Sequence, residues 1–168
     1  MRNAQTGIET ELRELAFAAE WPEGLIAEIA KLAERTSCHA GTVIFREGET
    51  DERIHFVVNG LVALEMSVPA RGSVRLITIS NGELLGWSPL VGNREMTATA
   101  TAIEDTNLLT LPGPALLSLC DRNHEIGFAV MRRLAWALSR RLTATRLQLL
   151  DLFSHSAPNV VAAPAERA

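Results

Sequence analysis

The sequence predicts a mainly β protein: an antiparallel β-roll, or jelly roll, flanked by N-terminal helices and a long C-terminal helix. Three observations carry this. Apolar residues recur at three-to-four spacing near the N-terminus, short β-rich runs punctuated by turn residues follow, and helical spacing returns after Pro114. The element order is therefore helix, β-roll, helix.

From Ile8 to Ala18, Ile8, Leu12, Leu15 and Ala16 form an apolar stripe beside Glu9, Glu11 and Glu14, as an amphipathic helix requires. A second helix follows Trp21-Pro22, because proline suits a first helical turn and Leu25, Ile26, Ile29 and Leu32 continue the spacing. Residues 1–36 read as a helical cap.

The β-rich runs are Thr42 to Phe45, Ile54 to Val58, Leu61 to Val68, Val74 to Ile79, Met96 to Ile103 and Asn107 to Leu111. Between them lie Gly41, Gly48, Asn59-Gly60, Pro69 to Gly72, Asn81-Gly82 and Gly92-Asn93. Asn59-Gly60 predicts a hairpin, since both residues tolerate positive φ. The roll is expected over 37–123, with a short helix from Pro114 through Leu119.

A long helix is predicted from Glu125 to Phe153, within a segment 124–154. Its stripe is Ile126, Val130, Leu134, Leu138, Leu142, Leu149 and Leu152, with no proline or glycine after Gly127. At 1.5 Å per residue it is roughly 40 Å long, more than one small roll covers, so a two-fold helix seam and a homodimer are expected. The tail at 155–168, with two prolines, is expected to be loosely ordered.

Composition narrows the function. In 168 residues, 47% are hydrophobic and 21% charged, and the net charge of -4 lacks the basic field that collects phosphates, so DNA binding by this chain alone is not expected. Cys38 and Cys120 are too far apart in sequence for a zinc spacing or a disulfide framework, and read as buried thiols. His39, His55, His124 and His155 form no close pair, so no metal site is expected. With no signal core and no long apolar span, the expected location is cytoplasmic, without membrane insertion. No nucleophile elbow, phosphate loop or zinc-protease helix occurs, so the chain is read as a binder and not an enzyme.

The stretch AGTVIFREGETDERIHFVVNGLVAL at 40–64, with Gly41, Phe45, Glu47-Gly48 and Asn59-Gly60, and NGELLGWSPLVGNREMTATATAIEDTNLLTL at 81–111 carry a resemblance. Over about residues 20–150 the chain resembles the sensor domain of the catabolite-activator (Crp/Fnr-like) cyclic-nucleotide-binding family, without its helix-turn-helix domain. The resemblance implies a phosphate-binding cassette. There a Gly-Glu pair holds the ribose, and an arginine about ten residues later clamps the cyclic phosphate, as a planar guanidinium can.

Gly86 matches the cassette glycine, but Trp87 stands at the glutamate position and Met96, before Thr97-Ala98, at the arginine position. A phosphate entering there would lose hydration without a counter-charge, at a cost of several kcal/mol. Trp87 and Met96 either fill the old pocket or line an apolar one for another ligand. Arg94 is either a displaced clamp or a loop arginine. Glu83 is either a ribose acceptor or a turn carboxylate. The resemblance draws the remaining wall from Leu76, Leu84 and Leu85, and from Arg141 and Thr145 of the segment SRRLTAT; alternatively Arg132, Arg133, Arg140, Arg141 and Arg146 make a solvated basic face.

The resulting expectation is a stand-alone sensor or regulatory domain with a degenerate or re-purposed nucleotide pocket, for which cyclic AMP and cyclic GMP are the ligands the resemblance suggests. The alternatives are a structural or protein-interaction dimer with no small ligand, and a fragment of a Crp/Fnr-like transcription regulator.

Overall fold

The computed structural model describes residues 2–92 and 94–156. The cap consists of helix α1 (Arg2–Glu14), a 3-10 turn (Ala16–Ala18) and helix α2 (Glu23–Ala30). The first predicted helix thus stops four residues before Ala18, and the chain turns so that Phe17 enters the core. Phe17, Trp21 and Phe56 pack together, with centroids 5.2 to 6.4 Å apart and two of the three contacts edge-to-face. These rings tie the cap to the roll, each burial contributing roughly 1.5–3 kcal/mol.

Eight strands follow: β1 (Glu34–Cys38), β2 (Val43–Phe45), β3 (Arg53–Asn59), β4 (Val62–Val68), β5 (Gly72–Ile79), β6 (Leu84–Leu85), β7 (Thr99–Ala102) and β8 (Thr106–Pro112). They form two antiparallel sheets of four, ordered β1-β8-β3-β6 and β2-β7-β4-β5. One core lies between the sheets, around Phe45, Val57, Val62, Ile79, Leu85 and Met96. The other joins the outer face of the first sheet to the cap and the C-terminal helices.

The hairpin expected at Asn59-Gly60 does not form, because β3 pairs with β8 and β6 while β4 pairs with β7 and β5. The turn instead carries the chain from one sheet to the other. Gly60, at φ 118°, lies so close to Thr106 that an added Cβ would sit 2.7 Å from the threonine Cα. Its N–H donates to Asn81 Oδ1 at 2.9 Å. The two residues are selected by a crossover and not by a hairpin.

After β8, helix α4 (Gly113–Arg122) turns at Asn123 into helix α5 (His124–Ser156). Asn123 Oδ1 accepts from the N–H groups of Glu125 and Ile126, capping the long helix. Ile126, Val130 and Leu134 are buried against the protein's own core, whereas Leu142 is 53% exposed. The predicted single stripe therefore divides. Ile126, Val130 and Leu134 dock on the roll and cap with Leu138 half-buried beside them, Leu142 faces solvent, and the side chains of Leu149 and Leu152 lie outside those described. The predicted tail lies outside the described residues from 157 on.

Both cysteines are free thiols; Cys120 is buried and Cys38 half-buried, and burial raises the pKa of each. Among the described residues, no helix is long and apolar enough to cross a membrane.

Candidate functional site

The site is built where β6 leaves the first sheet. The Asn81-Gly82 turn is closed by Glu83, whose Oε2 accepts from the Ser80 N–H at 2.8 Å and the Ser80 hydroxyl at 3.1 Å. Val57 N–H donates to the Glu83 carbonyl at 3.0 Å, fixing the start of β6. Gly86 then turns the chain at φ 71°, with an added Cβ placed 3.2 Å from the Arg53 carbonyl and 3.3 Å from the Phe45 ring. Only glycine combines that backbone with that closeness. A short helix α3 (Ser88–Val91) follows, with Trp87 before it and Pro89 in its first turn.

The returning segment passes Met96 across this turn. Met96 N–H donates to the Glu49 carbonyl, and Gly48 N–H to the Met96 carbonyl, holding a side chain that is 2% exposed. Thr97, Ala98 and Arg141 complete the wall, so six of the sequence-predicted residues, Gly86, Trp87, Met96, Thr97, Ala98 and Arg141, converge on one cavity. Its volume is about 20 Å³. That is room for about one water.

Arg141 reaches this cavity from α5, and its Nη2 donates to the Leu84 carbonyl. Burial pushes the guanidinium pKa below its ordinary value, while the Glu83 carboxylate opposes the shift. Among the lining residues it is the one charged group. Thr145, one turn on, donates its hydroxyl to the Arg141 carbonyl at 3.0 Å, its helical back-bond.

The other predicted residues lie elsewhere. Arg94, at φ 68°, forms an ion pair with Glu52 on the exposed rim. Glu83 and Leu84 face a neighbouring groove, and Leu85 is buried between the sheets. Leu76 is the extra residue of a β-bulge opposite Leu64 and Glu65. The five helix arginines share no single face: Arg132 and Arg133 both reach Glu20 of the cap, and Arg141 turns inward.

Phe45, Leu64 and Ser88 also line the cavity, and sequence reasoning did not select them for it. Ser88 was within reach, since it directly follows Trp87. Phe45 and Leu64 required the strand pairing that brings β2 and β4 against the turn. Behind Gly86 lies His55, 2% exposed and stacked on Phe45 at 6.2 Å. Its Nδ1 meets the Thr110 hydroxyl at 2.9 Å and its Nε2 has no hydrogen-bond partner among the described residues. Burial lowers its pKa to about 4, with Arg53 adding to the shift and Asp51 opposing it.

A glycine-turned strand end, a short helix and a returning strand, closed by a long helix, follow the order of elements that the resemblance implies for a phosphate-binding cassette. The profile of the cyclic nucleotide-binding domain matches residues 35–123, more than half of the chain. The chain belongs to the cyclic nucleotide-binding domain family. Among relatives of that family, the chain is 33% identical over 143 residues to the cyclic AMP receptor protein of Thermus thermophilus, covering 83% of this chain and 64% of that protein. It is 27% identical over 133 residues to a cyclic nucleotide-gated potassium channel of Mesorhizobium japonicum, covering 72% of this chain and 36% of the channel. The chain thus spans less than two thirds of either relative. The fold is that of the cyclic nucleotide-binding domain from Methylobacillus flagellatus, with a TM-score of 0.76, 16% identity, and coverage of 95% of this chain and 88% of that one. Cyclic AMP and cyclic GMP are therefore the ligands this family's site invites.

Proposed function

We propose that this chain is a dimeric sensor module of the cyclic nucleotide-binding domain family whose cassette is re-purposed, no longer holding a cyclic nucleotide through the family's glutamate and arginine. One observation carries this reading. Where the two charges belong, Met96 is 2% exposed and half-buried Trp87 packs on the core, leaving a cavity of about 20 Å³. A cyclic phosphate entering there would give up its hydration to an apolar wall, a cost of several kcal/mol against which Arg141 alone could act.

The dimer reading rests on α5. Phe128, Met131, Ala135, Leu138, Leu142 and Thr145 fall at alternating spacings of three and four, and the sequence continues the pattern with Leu149 and Leu152. The spacing supports the heptad of a two-helix seam, in which Met131 and Leu138 also pack on the protomer's own core. Phe128 is 69% exposed and Leu142 53%, so the protein's own roll does not cover them. Free thiols suit a reducing compartment, in keeping with a cytoplasmic regulator that binds and does not catalyse.

A second reading, a protein-interaction dimer with no small ligand, is favoured by the same small cavity. The thermal midpoint of the full chain under cyclic AMP and cyclic GMP tests the proposal. An unchanged midpoint is expected with both nucleotides. A rise of several degrees would show linked binding and overturn the re-purposed cassette.

A further inference from the structure

Arg141 separates the cassette from a second, larger cavity of about 100 Å³. This groove lies between the 3-10 turn of the cap, the β5–β6 turn and α5. Its floor is apolar: Phe17, Ile77, Leu84, Ala137 and Ala144. Along α5 it is bounded by Trp136 and Arg140, one helical turn apart.

Two features set this wall apart from an ordinary helix surface. Trp136 is 48% exposed, and the guanidiniums of Arg140 and Arg133 lie over its ring at 5.0 and 5.9 Å. Among the described residues, neither Arg140 nor Arg141 forms an ion pair. The nearby carboxylate of Glu83 has one oxygen held by both Ser80 donors. The groove therefore combines an apolar floor with the cation of Arg140, while the Glu83 carboxylate that also lines it acts on Arg141.

Its position keeps it open in the proposed dimer. At 3.6 residues per turn, Trp136 lies about 160° around the helix from Leu138, and Arg140 about 160° from Leu142, so the groove and the heptad seam occupy opposite flanks.

We infer that this groove is a second ligand site, taking a small planar organic anion of the aryl carboxylate class, with its ring on the apolar floor beside Trp136 and its carboxylate on Arg140. An arginine offers a carboxylate two parallel donors, and the apolar floor offers the ring a surface to bury against. The cassette, with room for about one water, cannot take such a ring unless its walls move.

The test uses the full chain, uniformly labelled with nitrogen-15, titrated with benzoate. Each of Trp21, Trp87 and Trp136 gives one indole N–H resonance, assigned by single substitution to phenylalanine. Saturable movement of the Trp136 signal with a dissociation constant at or below roughly 1 mM, while the Trp87 signal stays still, is expected. Arg140→Gln should weaken binding about tenfold, and the neutral analogue benzyl alcohol should bind correspondingly less. Arg140 is exposed, and a matching thermal midpoint confirms that this variant is folded. No saturation in that range, equal binding by Arg140→Gln, or movement of Trp87 instead of Trp136 would each overturn the assignment. Cyclic nucleotide binding at the cassette would be read at Trp87, so the two proposals fail separately.

Discussion

Restoring both charges to the cassette, as Trp87→Glu with Met96→Arg, should create the cyclic AMP site that the family's pattern describes. The gain can be worked from the contacts. A guanidinium at 96 would give the phosphate two charge-assisted hydrogen bonds and a carboxylate at 87 would engage the ribose, each worth about 1.5–3 kcal/mol. Part of this is offset by reopening a packed site, leaving about 3–4 kcal/mol, or two to three orders of magnitude in affinity. The same change should weaken the unliganded protein. Met96 is 2% exposed beside a cavity of about 20 Å³, so an arginine there meets packed walls and the neighbouring Arg141. Overpacking of this kind costs about 1–3 kcal/mol, a fall of several degrees for a chain of this size. Cyclic AMP at about one hundred times its dissociation constant should return about 2.7 kcal/mol, or roughly 5–10 °C. Calorimetry and thermal melting of the wild type and the double variant measure both effects. A folded double variant with no gain in affinity over the wild type would refute the reasoning.

The buried His55 gives a pH signature. Its folded pKa of about 4 lies below the ordinary 6.5, so the unfolded chain binds the proton more readily; stability is complete above about pH 6.5 and falls as pH drops toward 4. The loss between about pH 7 and about pH 5 should be about 2 kcal/mol in denaturant midpoints, and His55→Gln should flatten that slope. Gly60→Ala should cost about 2–4 kcal/mol by the same measurement, because the new methyl meets the Thr106 backbone at an unfavourable φ. If α5 forms the proposed seam, wild type should sediment as a dimer and Leu142→Asp as a monomer, without loss of far-UV helical signal, since Leu142 touches solvent and not the protomer core.

Elements with periodic apolar residues were legible in the sequence, and those held by backbone pairing were not. Strand β1, ERTSC, has no apolar alternation and no buried side chain. It exists by pairing with β8, aided by Ser37–Asn107 and Thr36–Thr110 side-chain bonds. Strand β6 is two residues long and carries no pattern of its own. Asn59-Gly60 misled because a turn sequence states what φ is tolerated, not which strands it joins.

The site divided in the same way. Gly86, Trp87, Met96, Thr97 and Ala98 were found by laying the family's cassette pattern along the chain, and Arg141 by the resemblance of its helix. Phe45 and Leu64 depend on which strands fold over the turn. The positive φ of Arg94 sends it to Glu52, and no spacing argument could anticipate that. The groove beside Trp136 and Arg140 combines an i, i+4 pair on α5 with residues of the cap and β5, more than one hundred positions apart for Phe17.

The central claim is that the cassette no longer takes a cyclic nucleotide, and calorimetric titration of the purified wild-type chain with cyclic AMP and then cyclic GMP tests it most directly. The account predicts no saturable heat with either nucleotide. Saturable binding in the micromolar range, weakened by Arg141→Gln, would contradict it and make that arginine the clamp.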